Sequence, residues 1–236
     1  MSQASLSEQM YGSAARSTAQ RACLLILLAG CTLLAWWLLF GGGVEVVAAL
    51  VRSHWAAGNV LRRAALAAAF SVYFIRVQFT TFVFLKRGMS WTEVFTIAPW
   101  VMAICVTLSL AGGTNAGRFG AAAIAGAALF VIGSWMNSYA EHQRNAWKKR
   151  PENRGRLYTQ GLFRLTRHPN YLGDLISFSG LCLISGRWFT VIIPVLMLCG
   201  FVFANIPALD THLAQHYGAQ FDEYARRTSR LIPFVY

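Results

Sequence analysis

The sequence predicts an all-α membrane protein whose helices cross the bilayer six or seven times. Three observations support this fold class. Hydrophobic residues make up 56% of the 236 residues and charged residues only 13%, about half the charged share of soluble domains. Several apolar stretches are as long as a membrane-spanning helix requires. These stretches are continuous and do not alternate between polar and apolar residues, which argues against a membrane β-barrel.

Six spans are predicted along the chain, at residues 22–40, 64–85, 94–113, 119–137, 169–186 and 188–207. The fifth is short, and it spans only if its helix begins near Pro169, a favourable first-turn residue. Residues 44–59 allow two interpretations, an interfacial amphipathic helix or a seventh span. Residues 209–224 are amphipathic, and we expect them to form a helix that folds back over the 144–174 region.

The residues outside the spans complete the predicted organisation. Residues 1–21 are rich in serine and alanine, which indicates a mobile N-terminal segment. They do not form a convincing signal peptide, because the apolar stretch that follows is too long for one. Residues 22–236 are predicted to be one integral-membrane catalytic domain. The five cysteines lie inside apolar stretches without a CxxC spacing, so we expect packed free thiols and no metal site.

The formal net charge of +12 is distributed unevenly. Most lysines and arginines fall on one side of the six-span arrangement, which places both termini and the 144–167 loop in the cytosol, at the inner membrane if the cell is bacterial. The loop itself contains Arg144, Lys148, Lys149, Arg150, Arg154, Arg156, Arg164 and Arg167. No nucleic-acid-binding motif accompanies this charge, so no nucleic-acid partner is predicted.

A dense polar cluster follows this loop at the mouth of the fifth span. Within a few positions the chain places Arg167, His168, Asn170, Tyr171 and Asp174. A helix that begins at a proline offers free backbone N–H groups to an anion. A carboxylate inside a span must be paired or face a polar cavity. The pattern predicts a binding site for a charged ligand.

Two further groups of polar residues lie on predicted helices. Asn137, Glu141, Arg144 and Lys148 recur at helical spacing and share one face, which suits phosphates and a ribose or amide. Tyr73 and Arg76 lie three residues apart inside the second span, where an arginine suggests a partner or ligand and a phenol can act as an acid. Glu45 and Glu93 are the acids near the membrane that could pair with Arg76 or a substrate carbonyl.

The segments HQRNAWKKRP (142–151), TRHPNYLGDLI (166–176) and YGAQFDEYARRTSRLIPFVY (217–236) resemble the C-terminal signature of the membrane sterol reductases. The steroid 5-alpha-reductases share this arrangement more loosely, including an Asn with an acid four residues later, which matches Asn137 and Glu141. Tyr73-Phe74-Ile75-Arg76 with Arg87-Gly88 is similar to a further motif of those enzymes. Lys148 stands where the sterol reductases tend to have arginine.

The resemblance implies NADPH-dependent reduction of a carbon–carbon double bond in a steroid-like lipid that enters from the bilayer. It implies that Tyr73 is the proton donor or carbonyl polariser, and Glu45 is a positional candidate for a substrate-binding acid. It also implies that residues 137–236 form the cofactor-binding half. The cofactor-lining residues would be Asn137, Glu141, Arg144, Lys148, Arg164, Arg167, His168, Asn170, Tyr171, Asp174, Tyr217 and Tyr224.

A second family shares the Arg-His-Pro-x-Tyr-x-Gly core at residues 167–173. These are the isoprenylcysteine carboxyl methyltransferases, which use S-adenosylmethionine. NADPH carries about four negative charges and S-adenosylmethionine is cationic, so the basic loop favours NADPH and the methyltransferase is the alternative. The lipid, either a 3-oxo-4-ene steroid or a sterol with an isolated alkene, stays open.

Overall fold

The structure is a computed structural model that describes residues 17–236, and all regular secondary structure in that range is helical. This confirms the predicted membrane helix bundle. The α-helices are α1 Thr18–Phe40, α2 Gly43–Leu50, α3 Val60–Phe79, α4 Trp91–Gly113, α5 Ala121–Lys148, α6 Pro169–Ser185, α7 Ile192–Gly200, α8 Ile206–Tyr217 and α9 Ala219–Arg227. A π turn, Thr80–Phe84, extends α3, and a second, Phe201–Asn205, joins α7 to α8.

Five helices in this range are long and apolar enough to cross a membrane: Thr18–Phe40, Val60–Phe84, Trp91–Gly113, Ala121–Lys148 and Trp188–Tyr217. They coincide with five of the six predicted spans. The other predicted span is α6, which begins at Pro169 as expected and has 17 residues. It extends about 25 Å, close to the thickness of the hydrocarbon core. Helix α2 has 8 residues and is too short to form a seventh span.

Hydrogen bonds between distant segments define the two ends of the bundle. The predicted mobile segment 1–21 lies mainly outside the described residues, but its last residues are helical because α1 begins at Thr18. The Arg21 guanidinium donates to the carbonyl oxygens of Leu85 and Arg87 at 3.0 and 2.9 Å. We call the end of the bundle where these three residues meet the site end. At the opposite end, the Gly58 N–H donates to the Gly113 carbonyl oxygen at 2.7 Å.

The C-terminal region differs in one respect from the expectation. The helix predicted over 209–224 is divided into α8 and α9 by Gly218, whose φ of +50° is unfavourable for residues with a side chain. The region does fold back over the 144–174 region, as predicted. Tyr224 on α9 donates its hydroxyl proton to the Phe163 carbonyl oxygen at 2.6 Å. Tyr224 and Phe163 belong to a small hydrophobic core at the site end that is separate from the main membrane core.

Helices α5 and α6 approach each other so closely that glycines form their contact. A Cβ atom on Gly173 would lie 2.7 Å from the Gly133 carbonyl oxygen and 2.8 Å from the Asn137 nitrogen. A Cβ atom on Gly126 would lie 2.6 Å from the Gly180 carbonyl oxygen. Small residues at such positions let helix backbones meet directly in a membrane. The α5–α6 pair therefore holds Asn137 at a fixed distance from the start of α6.

We expect Gly173→Ala to destabilise the protein by about 1–3 kcal/mol, because the new methyl group collides with backbone atoms that cannot rotate away. Thermal unfolding of the detergent-solubilised protein measures the effect. Gly30→Ala on α1 is the matched control, since no atom lies within 4 Å of its added Cβ atom. Equal unfolding temperatures for the two variants would show that α5 and α6 can separate without cost.

Candidate functional site

Four predicted cofactor residues meet where the end of α5 faces the start of α6. The Asn137 side-chain amide donates to the Asn170 carbonyl oxygen at 3.0 Å. One carboxylate oxygen of Glu141 lies 2.5 Å from the Arg144 guanidinium, and the other accepts from the Asn170 amide at 3.4 Å. Glu141 is only 7% exposed, so its charge depends on these partners. The face predicted on α5 therefore forms one hydrogen-bonded group with Asn170.

Arg76 and Asp174 form a second group inside the bundle. The Arg76 Nη2 and Asp174 Oδ1 atoms are 2.8 Å apart, and the two side chains are 8% and 23% exposed. Arg76 therefore has an ion-pair partner, as an arginine in a span requires. The partner is neither of the acids considered from the sequence. Glu93 instead binds Arg87, with its two carboxylate oxygens 2.5 and 2.9 Å from the guanidinium.

Tyr73 lies beside this ion pair. The Arg76 guanidinium carbon is 5.2 Å from the centre of the Tyr73 ring, which confirms that the two side chains lie together on α3. The ring also packs edge-on against Phe178 at a centroid distance of 5.3 Å. Its hydroxyl forms no hydrogen bond with another residue of 17–236. Ring packing therefore holds Tyr73, and the hydroxyl is free to bind a ligand.

The third group is centred on Asp210, a residue that the sequence analysis did not select. Its Oδ1 lies 3.0 Å from His168 Nε2, and its Oδ2 lies 3.0 Å from Arg167 Nη1. Arg230 from the C-terminal segment is more distant, at 3.9 Å. The signal was present in the sequence, because Asp210 is an acid directly after a long apolar stretch.

The protonation of His168 follows from its surroundings. The side chain is 1% exposed, and burial lowers the pKa of its imidazole. The hydrogen bond and the negative charge of Asp210 oppose this shift, and the positive charge of Arg167 adds to it. A neutral imidazole donates its Nε2 proton to the Asp210 carboxylate, which assigns the tautomer. The Tyr171 ring stacks on the His168 ring at a centroid distance of 5.4 Å and on the Phe201 ring at 4.6 Å.

The remaining predicted cofactor residues occupy the outer part of the site end. The Lys148 ammonium lies 6.0 Å from the Tyr217 ring centre. Arg164 and Tyr224 line a cleft of about 660 Å³ together with Arg227. Burial raises the pKa of the Tyr224 phenol, whose proton remains bonded to the Phe163 carbonyl oxygen. Tyr224 therefore supports the cleft wall and has no free proton to offer a ligand.

Glu45 is the one predicted site residue that the structure does not bring to this region. It lies on α2, which follows α1 after that helix has crossed to the opposite end. Its carboxylate is exposed and accepts a hydrogen bond from the Ala57 N–H at 3.1 Å. The separation arises because α1 starts at the site end and Glu45 comes after its last residue, Phe40.

Comparisons with known proteins show which proteins the sequence is similar to. The probable O-methyltransferase ustE of Ustilaginoidea virens is 36% identical over 106 residues, which cover 44% of this chain and 37% of that protein. Protein-S-isoprenylcysteine O-methyltransferase B of Arabidopsis thaliana is 33% identical over 88 residues, or 37% and 45% of the two chains. The 3-oxo-5-alpha-steroid 4-dehydrogenase 1 of Mus musculus is 29% identical over 115 residues, or 48% and 42%.

The chain thus matches less than half the length of each of these relatives. The similarities confirm the resemblance to the steroid reductases and to the isoprenylcysteine methyltransferases. Together with the five long apolar helices, these similarities support an integral membrane protein that is similar to enzymes of lipid substrates. A model of a family of proteins of unknown function, DUF1295, matches residues 86–228, which include the α5–α6 pair and Asp210. Because this match covers more than half of the chain, the protein belongs to the DUF1295 family.

Proposed function

We propose that this protein reduces a carbon–carbon double bond in a steroid- or sterol-like lipid with NADPH. The observation that carries the proposal is the charge balance at the site end. Each acid of the three groups is already paired, Glu141 with Arg144, Asp174 with Arg76, and Asp210 with Arg167 and His168. In contrast, many cations around them form no ion pair with another residue of 17–236: Lys148, Lys149, Arg150, Arg154, Arg156, Arg164 and Arg226.

A surplus of unpaired cations favours a ligand with several negative charges. NADPH carries about four, and the field of these side chains attracts it. S-adenosylmethionine carries positive charge at its sulfonium and amine groups and gains little from the same field. The proposal places the site end in the cytosol, where the cofactor is supplied, in agreement with the positive-inside rule.

The residues at the site end then have distinct tasks in the proposal. The amides and carboxylate of Asn137, Glu141 and Asn170 bind hydroxyl or amide groups of the cofactor, and the surrounding arginines and lysines bind its phosphates. Bound NADPH supplies the hydride. Tyr73 provides the proton, or polarises the carbonyl of an enone substrate, from within the apolar bundle that the lipid enters. Glu45 has no part, because it lies at the opposite end.

The methyltransferase remains the second candidate because several similar proteins, including ustE and the Arabidopsis thaliana protein, are methyltransferases by name. The Arg-His-Pro-x-Tyr-x-Gly sequence at residues 167–173 fits both families. The two functions require different cofactors, so ligand binding by the purified chain separates them.

We expect NADPH to raise the unfolding temperature of the detergent-solubilised protein and S-adenosylmethionine to leave it unchanged. At 100 times its dissociation constant, a ligand adds about 2.7 kcal/mol of apparent stability. NADP and S-adenosylhomocysteine serve as product controls for the two candidates. Stabilisation by S-adenosylmethionine alone would replace the reductase with the methyltransferase.

Lys148→Ala is expected to weaken binding of NADPH more than binding of NADH, because Lys148 is the proposed contact of the 2′-phosphate. The loss should shrink at high salt, since Lys148 is exposed and its charge is screened. Titration by calorimetry with both nucleotides measures the difference. Arg52→Ala removes the same charge at the opposite end and should change neither affinity. Equal affinity of the unsubstituted protein for NADH and NADPH would contradict the assignment.

A further inference from the structure

The end of the bundle opposite the proposed cofactor site contains a groove that the reductase proposal does not use. The groove has a volume of about 380 Å³ and lies between the C-terminal end of α6, the start of α5 and the last span. Carbon atoms of Leu183, Val191 and Pro194 form much of its lining. Leu183 and Val191 are 40% and 54% exposed, so the groove opens to the outside of the bundle, where lipid chains lie.

Polar and aromatic residues stand at the mouth of this groove. Arg187 and Trp188 both line it, and both are exposed, with Trp188 exposed by 87%. Tryptophan is enriched at the level of the lipid headgroups, where its ring is partly apolar and its N–H is in contact with water. The mouth of the groove therefore lies at the depth where a lipid headgroup meets its acyl chains.

Arg62 lies near Arg187 and binds the backbone of Arg118, and we call Arg62, Arg118 and Arg187 the arginine corner. Arg62 is only 4% exposed and donates to the carbonyl oxygens of Ile184 and, at 3.1 Å, Arg118. A Cβ atom on Gly186, the residue before Arg187, would lie 2.6 Å from Arg62 Nη1. Asn115 lies in the same 114–118 loop as Arg118. Its side-chain amide connects this loop to the end of α6, because it donates to the Ser185 and Gly186 carbonyl oxygens at 3.0 and 3.2 Å.

Among residues 17–236, no carboxylate compensates the charge of the arginine corner. Within residues 17–236, the hydrogen-bond acceptors of the Arg62 guanidinium are all carbonyl oxygens, and its Nε atom is buried without a hydrogen-bond partner. Neither Arg118 nor Arg187 forms an ion pair in the same range. Glu45 is the acid at this end, and its carboxylate binds the Ala57 N–H. Concentrated positive charge beside an apolar groove is complementary to a molecule with an anionic head and an apolar tail.

We propose that the groove and the arginine corner form a binding site for an anionic phospholipid of the membrane leaflet at this end. One acyl chain occupies the groove against Leu183, Val191 and Pro194, and the phosphate lies near Arg187 and Arg118. The lipid would clamp the 114–118 loop onto the end of α6, because both segments contribute to the corner. This inference is independent of the proposed reductase activity.

The test uses the full chain in detergent, with dioleoyl phosphatidylglycerol and dioleoyl phosphatidylcholine as probes. Both lipids have the same chains, so a difference between them reports the headgroup. We expect phosphatidylglycerol to raise the unfolding temperature more and to remain bound in native mass spectrometry. Arg187→Gln should weaken its binding about fivefold, the contribution of one cation near an anionic lipid. Arg52→Gln, which removes an exposed charge at the same end but outside the groove, should have no effect.

Two further measurements distinguish binding of the acyl chain from binding of the headgroup. Ala122→Trp places a large side chain in the groove. It should reduce binding of phosphatidylglycerol even though every arginine is retained. Inorganic phosphate alone should not stabilise the protein. The proposal is overturned if the two lipids bind equally, if Arg52→Gln weakens binding as much as Arg187→Gln, or if phosphate stabilises the protein as well as the lipid does.

Discussion

Tyr73→Phe is expected to lower the rate of lipid reduction by about 10²–10⁴-fold, the usual contribution of a positioned acid. The substitution keeps the ring that packs on Phe178 and beside Arg76. It removes only a hydroxyl that forms no hydrogen bond with another residue of 17–236. The unfolding temperature and the affinity for NADPH should therefore stay the same. NADPH oxidation with a panel of 3-oxo-4-ene steroids and sterols provides the measurement.

Tyr139→Phe is the matched control for this variant. Tyr139 is an exposed tyrosine on α5, stacked on Trp135, and it lies outside the three polar groups. Its substitution should leave turnover near normal. If Tyr73→Phe also retains normal turnover on every substrate that is reduced, the proton comes from another group. Tyr171, which stacks on His168, is then the next residue to test.

Asp210→Asn is expected to destabilise the protein by about 3 kcal/mol. The change preserves the shape of the side chain but leaves the buried Arg167 without its carboxylate, and breaking a buried ion pair by removing one partner is strongly unfavourable. It also removes the charge that orients His168. Since Arg167 and His168 directly precede α6 at the proposed cofactor site, binding of NADPH should weaken as well. Denaturant unfolding in detergent gives the stability, and calorimetry gives the affinity.

Glu223→Gln is the control for the loss of a carboxylate. Glu223 pairs with Arg227 at 3.3 Å, but both side chains are more than half exposed, so the pair contributes about 0–1 kcal/mol. A loss of stability in Asp210→Asn no larger than that of Glu223→Gln would mean that solvent replaces the carboxylate. Asp210 would then have no structural role at the site.

The helices were predictable because apolar length and helix boundaries are local properties of the sequence. Pro169 marked the start of α6, and the helical spacing of Asn137 and Glu141 placed both on one face of α5. The partners of the charged residues were not predictable in this way. Arg76 and Asp174 are 98 positions apart, and His168 and Asp210 are 42 apart, so their pairing depends on how the helices pack.

The separation of Glu45 from the other predicted site residues has a related cause. Its position near the membrane was clear from the sequence, and the resemblance made it a candidate for a substrate-binding acid. A position near the membrane surface does not tell at which end of the bundle a residue lies until the direction of each membrane crossing is known. Once α1 runs from the site end to the opposite end, a residue after Phe40 cannot reach Tyr73 or Asp174 without crossing the membrane again.

The glycine contact between α5 and α6 also determines the register of the proposed site. Gly173 is one residue before Asp174, and a Cβ atom added to it would lie 2.8 Å from the backbone nitrogen of Asn137. The amide of one helix and the carboxylate of the other are therefore aligned by backbone contact, with no side chain between them to adjust the spacing. A larger side chain at this buried contact moves one helix relative to the other. The polar groups would then be misaligned although each of their side chains is intact.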